Sequence, residues 1–92
     1  MEIKVYATLR EIVGGKSAVL DDSGAKTMRQ VLEELFEKYP RMRQKLFLNG
    51  GEMHSAFHFL VNGRDARYLD GLDTVISPDD DVQIFPPVGG GQ

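Results

Sequence analysis

Hydrophobic and polar positions along the chain change period several times, and each change predicts an element. Over residues 1–9, Ile3, Val5 and Ala7 alternate with Glu2, Lys4, Tyr6 and Thr8, the period-two pattern of a half-buried strand. Leu9-Arg10-Glu11-Ile12-Val13 then leads to the turn signal Gly14-Gly15. Residues 16–20 read as a second strand, antiparallel to the first and closed by Asp21-Asp22-Ser23-Gly24, so a hairpin opens the chain. The period then lengthens. Met28, Val31, Leu32, Leu35, Phe36 and Tyr39 recur at helical spacing, with Arg29, Glu33, Glu34, Glu37 and Lys38 on the opposite face. Thr27 and Gln30 have the spacing of a capping box, in which each side chain satisfies a backbone donor of the other. Pro40 ends the helix, because the residue before a proline is pushed out of the helical region. A stripe this wide suits a helix lying across one face of a sheet.

Residues 41–48 predict a second short helix with Met42, Leu46 and Phe47 turned inward, broken by Asn49-Gly50-Gly51 and followed by a polar loop to Ser55. Residues 56–61 predict a strand with Phe57, Phe59 and Val61 on one face and His58 and Leu60 on the other. It meets Asn62-Gly63, a strong hairpin signal. Residues 64–69 add a short strand, and Asp70-Gly71-Leu72-Asp73 reads as a tight turn or a single helical turn. Ser77-Pro78-Asp79-Asp80-Asp81 turns into the last strand, where Val82 and Ile84 point inward. No repeat or internal linker interrupts the pattern. Strand, strand, helix, strand, short strand, strand predicts an α+β fold, a mixed sheet packed around one main helix. By analogy of fold this is the β-grasp, or ubiquitin-like, arrangement, with a body over residues 1–86 and a flexible Gly-rich functional tail over residues 87–92.

Composition narrows the function classes. Ninety-two residues suit one domain, burying roughly two-thirds of the unfolded surface. At 41% hydrophobic and 27% charged, the chain has the make-up of a soluble globular domain, and no apolar run nears the ~20 residues of a membrane span. The start of the sequence lacks the layout of a signal peptide, so a cytoplasmic location is expected. A net charge of −3, with Lys and Arg not clustered with aromatics, argues against nucleic acid as a partner. With no cysteine, disulfides, a thiolate nucleophile and Cys-based zinc sites are excluded.

Local motifs for catalysis fail on inspection. Gly15-Lys16-Ser17 matches the end of a phosphate-binding loop, but Arg10 stands where that motif needs glycine, and the segment opens a strand rather than a helix. His54 and His58 have the i,i+4 spacing of zinc-binding helices. Here Ser55 replaces the glutamate, and in a strand the two residues would stand roughly 13 Å apart. The Asp79 to Asp81 run lacks the spaced ligands and glycine of a calcium loop. No catalytic residue and no metal site is predicted.

What remains is the end of the chain. The strand running to Phe85 stops at Pro86-Pro87, which lack the N–H that a ladder needs and favour a stiff, extended path. Val88 follows, and then Gly89-Gly90-Gly91, free of any side chain and able to enter a channel too narrow for a Cβ. Tyr6, His58, Leu60 and Phe85 alternate away from the inferred core and would form an apolar partner-binding patch beside this tail.

Three stretches carry a resemblance: Leu9-Arg10-Glu11-Ile12-Val13-Gly14, Val61-Asn62-Gly63, and Asp81-Val82-Gln83-Ile84-Phe85-Pro86-Pro87-Val88-Gly89-Gly90-Gly91. Together they resemble the MoaD/ThiS family of sulfur-carrier proteins over nearly the whole chain. The ending is similar to that of the small subunit of molybdopterin synthase. The middle segment, from Asn49 through Val61-Asn62-Gly63-Arg64-Asp65-Ala66-Arg67 to Gly71-Leu72, is similar to carriers serving cysteine biosynthesis. The resemblance implies a protein that binds no cofactor and is not itself an enzyme. Its C-terminal glycine is adenylated by an E1-like adenylyltransferase using ATP, and a sulfur donor then converts it to a thiocarboxylate. The sulfur would pass to an accepting enzyme, either a molybdopterin synthase large subunit or a cysteine synthase type. Gly91 matches the functional terminus, Gly90 its neighbour and Gly89 the variable position. Family members usually end at the second glycine of the pair, so Gln92 implies prior removal by a C-terminal peptidase, unless Gln92 is an artefact. Two other readings stay open: a ubiquitin-like modifier joined to target lysines, and an interaction domain with an inert tail.

Overall fold

The computed structural model describes residues 1–21, 24–46 and 57–86. The predicted loop at Asn49-Gly50-Gly51, Phe47, His54 and the whole tail, Pro87, Val88, Gly89, Gly90, Gly91 and Gln92, lie outside the described residues.

Strand β1 (Glu2–Val5) pairs antiparallel with β2 (Ser17–Val19), placing Ile3 opposite Ala18 with both side chains fully buried. The predicted first strand ends sooner than its alternation suggested. Ala7 does not point inward; it is exposed, with φ at 53°, and residues 9–13 form the helix α1 (Leu9–Val13) instead of a bare connection. Leu9, Ile12 and Val13 have i, i+3, i+4 spacing, so the helix buries Leu9 and lays the other two against the core. Gly14 closes it in the left-handed region at φ 76°, its N–H donating to the Arg10 carbonyl at 2.9 Å.

The main helix α2 (Met28–Lys38) starts where its capping box predicts: Gln30 N–H donates to Thr27 Oγ1 at 3.2 Å, and Thr27 N–H donates to Gln30 Oε1 at 2.9 Å. Met28, Val31, Leu32 and Leu35 are buried, and Phe36 and Tyr39 are partly so. Helix α2 ends at Lys38, with Tyr39 outside the helical region, but Pro40 does more than stop it. It opens α3 (Pro40–Leu46), a first helical position where a missing N–H costs nothing. Met42 and Leu46 of α3 are buried as predicted.

After the second undescribed segment, β4 (His58–Val61) turns through Asn62-Gly63 into β5 (Arg64–Asp65). Both turn residues have positive φ, 53° and 84°, the conformation a two-residue hairpin requires. The strand expected over residues 64–69 is only those two residues. A short 3-10 helix (Ala66–Tyr68) follows, begun by Asp65, whose side chain accepts from the Arg67 N–H. A second 3-10 turn, Gly71–Asp73, occupies the predicted tight turn. Strand β7 (Val82–Phe85) closes the fold with Val82 and Ile84 fully buried.

The main sheet has the order β2-β1-β7-β4-β5, with β7 in the middle, parallel to β1 and antiparallel to β4. A second pairing, β3 (Lys26–Thr27) with β6 (Val75–Ile76), was not visible in the pattern. One core joins the inward side chains of β1, β4 and β7 to the apolar stripe of α2. Each fully buried Ile, Leu or Val in it contributes roughly 1.5–3 kcal/mol relative to exposure. This is the β-grasp arrangement, α+β with the chain's last strand held on both sides.

Candidate functional site

Central placement of β7 decides what the tail is attached to. Phe85 is the last residue of a strand bonded along both edges, with His58 as its partner across β4. Pro86, the next residue, is buried, so the chain stays seated on the body past the end of the strand. Alternation turns Tyr6, Phe85 and His58 to the outer face of the sheet in one row. Lys4, Gln83, Leu60 and Asp65 form the next row.

All four side chains predicted to bind a partner are therefore brought together beside the exit of the tail. Tyr6, Phe85 and Leu60 are half-buried, and His58 is exposed. Tyr6 and Phe85 stack face to face with ring centroids 4.2 Å apart. The Arg10 guanidinium lies 4.9 Å from the Tyr6 ring centroid, and its Nε donates to the Val5 carbonyl at 2.9 Å. Cation, phenol and phenyl thus form a layered ridge at the end of β1 and β7.

Polar groups flank the ridge. Tyr6 Oη donates to Gln83 Oε1 at 3.4 Å, Gln83 Nε2 donates to Asp81 Oδ2 at 2.8 Å, and Lys4 Nζ lies 3.1 Å from Asp81 Oδ1. The donated bonds from Gln83 and Lys4 hold the Asp81 carboxyl below its ordinary pKa, and the bond to Asp81 raises that of Lys4. On the other side, His58 Nδ1 stands 2.8 Å from Asp65 Oδ2, while Asp65 Oδ1 accepts from Arg67 N–H at 3.0 Å and Arg67 Nε at 3.3 Å. Burial pushes the Asp65 pKa up, but the bonds from His58 and the Arg67 N–H, with the Arg67 charge, outweigh it and bring the pKa below the usual carboxylate value.

Asp65, Arg67, Gln83 and Arg10 were missed as site residues. For Asp65 a signal existed: a two-residue loop at Asn62-Gly63 sets Leu60 opposite Asp65, and hence Asp65 on the face of Leu60 and His58. Among the described residues no three His, Asp or Glu side chains gather as a metal site, and no helix is long and apolar enough to cross a membrane. Ser17, from the rejected phosphate-loop match, begins β2 and donates to Glu2 at 2.7 Å. Among the described residues, the arrangement offers an outer sheet face on which a protein can dock beside Phe85.

A family model described as the ThiS family matches residues 3–91. The chain is 36% identical over 91 residues to small archaeal modifier protein 3 of Haloferax volcanii, covering 99% of this chain and 98% of that one. It is 30% identical over 91 residues to the sulfur carrier protein CysO of Mycobacterium tuberculosis, covering 97% and 96%. The crystal structure of SAMP1 from Haloferax volcanii superposes with a TM-score of 0.83 at 30% identity, covering 98% of this chain and 97% of that one.

Proposed function

The chain belongs to the ThiS family, and from that premise we propose that it is a sulfur carrier whose activated group is the carboxylate of Gly91. It is a small carrier or modifier acting with enzymes rather than an enzyme. The observation that supports this reading most directly is the placement of β7. The central strand, bonded on both edges and anchored by the Tyr6–Phe85 stack, leads directly into the Pro-Pro-Val-Gly-Gly-Gly-Gln sequence from beside a docking face.

In this reading a peptidase first removes Gln92 to expose Gly91. The carboxylate of Gly91 attacks the α-phosphorus of ATP on an E1-like adenylyltransferase, forming an acyl adenylate and releasing pyrophosphate. Sulfide delivered by a sulfur donor attacks the acyl carbon and expels AMP, leaving a thiocarboxylate. The carrier needs no cysteine for this chemistry, and has none. Gly89 and Gly90 let the acyl group enter narrow sites, with Val88 and Pro87 setting the approach. Tyr6, Phe85, Leu60 and His58 dock the partner. The acceptor is an enzyme of molybdopterin or cysteine synthesis, the latter favoured by the likeness to CysO.

A second reading has its own observation. Two relatives, at 36% and 31% identity, are named modifier proteins, and in this reading the same adenylate is the precursor of an isopeptide bond to a target lysine. Intact-mass measurement of the protein from its native host separates the cases. Loss of Gln92 with one oxygen replaced by sulfur supports the carrier, and lysine-linked adducts support the modifier. A full-length, unmodified chain during active cofactor and cysteine synthesis would overturn both.

A further inference from the structure

Asp65 gathers three donors, and its two oxygens divide them. Oδ1 accepts from the Arg67 N–H and Arg67 Nε, while Oδ2 faces His58 Nδ1 at 2.8 Å. An ionised carboxylate has no proton to give, so the proton in the His58 contact sits on Nδ1. In the neutral ring, Nε2 is then a bare acceptor. The His58 side chain is 51% exposed, whereas Asp65 is 13% exposed, so the ring is held from behind and open in front. Arg67 Nη2 also donates to the Phe57 carbonyl at 2.7 Å, which ties the clamp to the start of β4.

His58 lies directly across from Phe85. Other polar groups on this face already engage one another: Lys4 and Gln83 with Asp81, Tyr6 with Gln83, and Glu2 with Ser17. Building on the docking face of the carrier reading, we propose that His58 is its specificity contact. Asp65, clamped by Arg67, orients the ring so that Nε2 of the neutral imidazole offers a hydrogen-bond acceptor at the rim of the Tyr6–Phe85 stack. The face therefore selects a protein partner that covers the stack with apolar side chains and sets a hydrogen-bond donor opposite Nε2. A partner that covers the stack without that donor strips water from Nε2 and leaves it unsatisfied, which is how the face rejects it. His58 contacts the partner; Asp65 is a positioning residue.

Asp65→Asn decides the matter with little change of shape. The amide oxygen stays with the Arg67 donors, so the NH2 group faces His58, Nδ1 becomes the acceptor, and the ring proton moves to Nε2. Nitrogen NMR of the neutral imidazole, taken in alkaline buffer, should read Nδ1–H in the parent and Nε2–H in Asp65→Asn. The full chain titrated calorimetrically into the E1-like adenylating enzyme of the same organism should bind about tenfold more weakly in Asp65→Asn. His58→Asn keeps a donor toward Asp65, removes Nε2 and should weaken binding comparably. An Nε2–H ring in the parent, or unchanged affinity in both variants, overturns the inference. Failure of the parent chain itself to bind would instead sink the carrier reading, and the docking claim with it.

Discussion

The ring of Tyr6 lies flat on the ring of Phe85, with planes 5° from parallel and centroids 4.2 Å apart. The contact joins the end of β1 to the end of β7, 79 residues later in the chain. It fixes the final side chain of β7 before the two prolines. A double-mutant cycle of Tyr6→Ala and Phe85→Ala, read by urea unfolding, should give a coupling of about 0.5–1.5 kcal/mol. Tyr6→Phe should be nearly neutral, since the hydroxyl's bond to Gln83 is long at 3.4 Å. Independent, additive effects of the two alanines would remove the stack as an anchor of the tail.

Leu60 stands opposite Asp65 in the β4–β5 pair. A carboxylate at position 60 would face a carboxylate that is already ionised and clamped. Like charges directly across an antiparallel pair destabilise by roughly 0.2–1 kcal/mol. Leu60→Asp should therefore be less stable than Leu60→Asn, and the gap should close when Asp65→Asn is added. Leu60→Asn is the cleaner probe of docking, because its effect on partner affinity is free of that repulsion. Equal melting temperatures for the two single variants would contradict this pairing.

Much of the fold could be read from local signals: the Thr27–Gln30 box, the α2 stripe, the Asn62-Gly63 turn and the inward Val82 and Ile84 all sit as the pattern implied. Misses occurred where an element is too short to show a period. Helix α1 has five residues, and its Leu9, Ile12 and Val13 followed directly on a strand alternation that could be extended through Ala7. Strands β3 and β6 have two residues each, held by partners 48 positions apart at one end (Thr27 with Val75) and 50 at the other (Lys26 with Ile76), which no local window contains. Pro40 was legible as a stop and not as the start of α3, because the same fixed φ serves both roles. At the site, alternation was enough to put Tyr6, His58, Leu60 and Phe85 on one face. The ion network behind His58 needed the hairpin register as well.

Acid should loosen the clamp between the two turns at one end of the sheet. Asn62 Nδ2 donates to Asp80 Oδ1 at 3.0 Å and the Ser77 N–H donates to Asp80 Oδ2 at 2.7 Å, so both donors hold the Asp80 carboxyl below its ordinary pKa. A depressed folded-state pKa means stability that is fully present above the unfolded value and is lost as pH falls through the folded one. Asp80→Asn should thus be less stable than the parent at about pH 7 and show a shallower loss below about pH 4, the two curves approaching each other at lower pH. Urea midpoints across that range test it. A parallel offset at every pH would show that the charge of Asp80 plays no part.

Ala7 holds φ at 53°, in the left-handed region, between Tyr6 of the docking ridge and the buried Leu9. This one residue turns the chain from the outer face of the sheet into the core, so its conformation positions Tyr6 under Phe85. An L-residue there costs roughly 1–2 kcal/mol, and a β-branched one more. Glycine would remove that cost while losing roughly 0.5–1 kcal/mol to unfolded-state entropy. Ala7→Gly should therefore match or exceed the parent in stability, by up to about 1 kcal/mol. Ala7→Val, although exposed and apolar, should lose more than about 1 kcal/mol and weaken partner binding through displacement of Tyr6. Stability that rises from Gly to Ala to Val would be the order of an ordinary strand position, and would show that the turn at Ala7 does not carry Tyr6 to the stack.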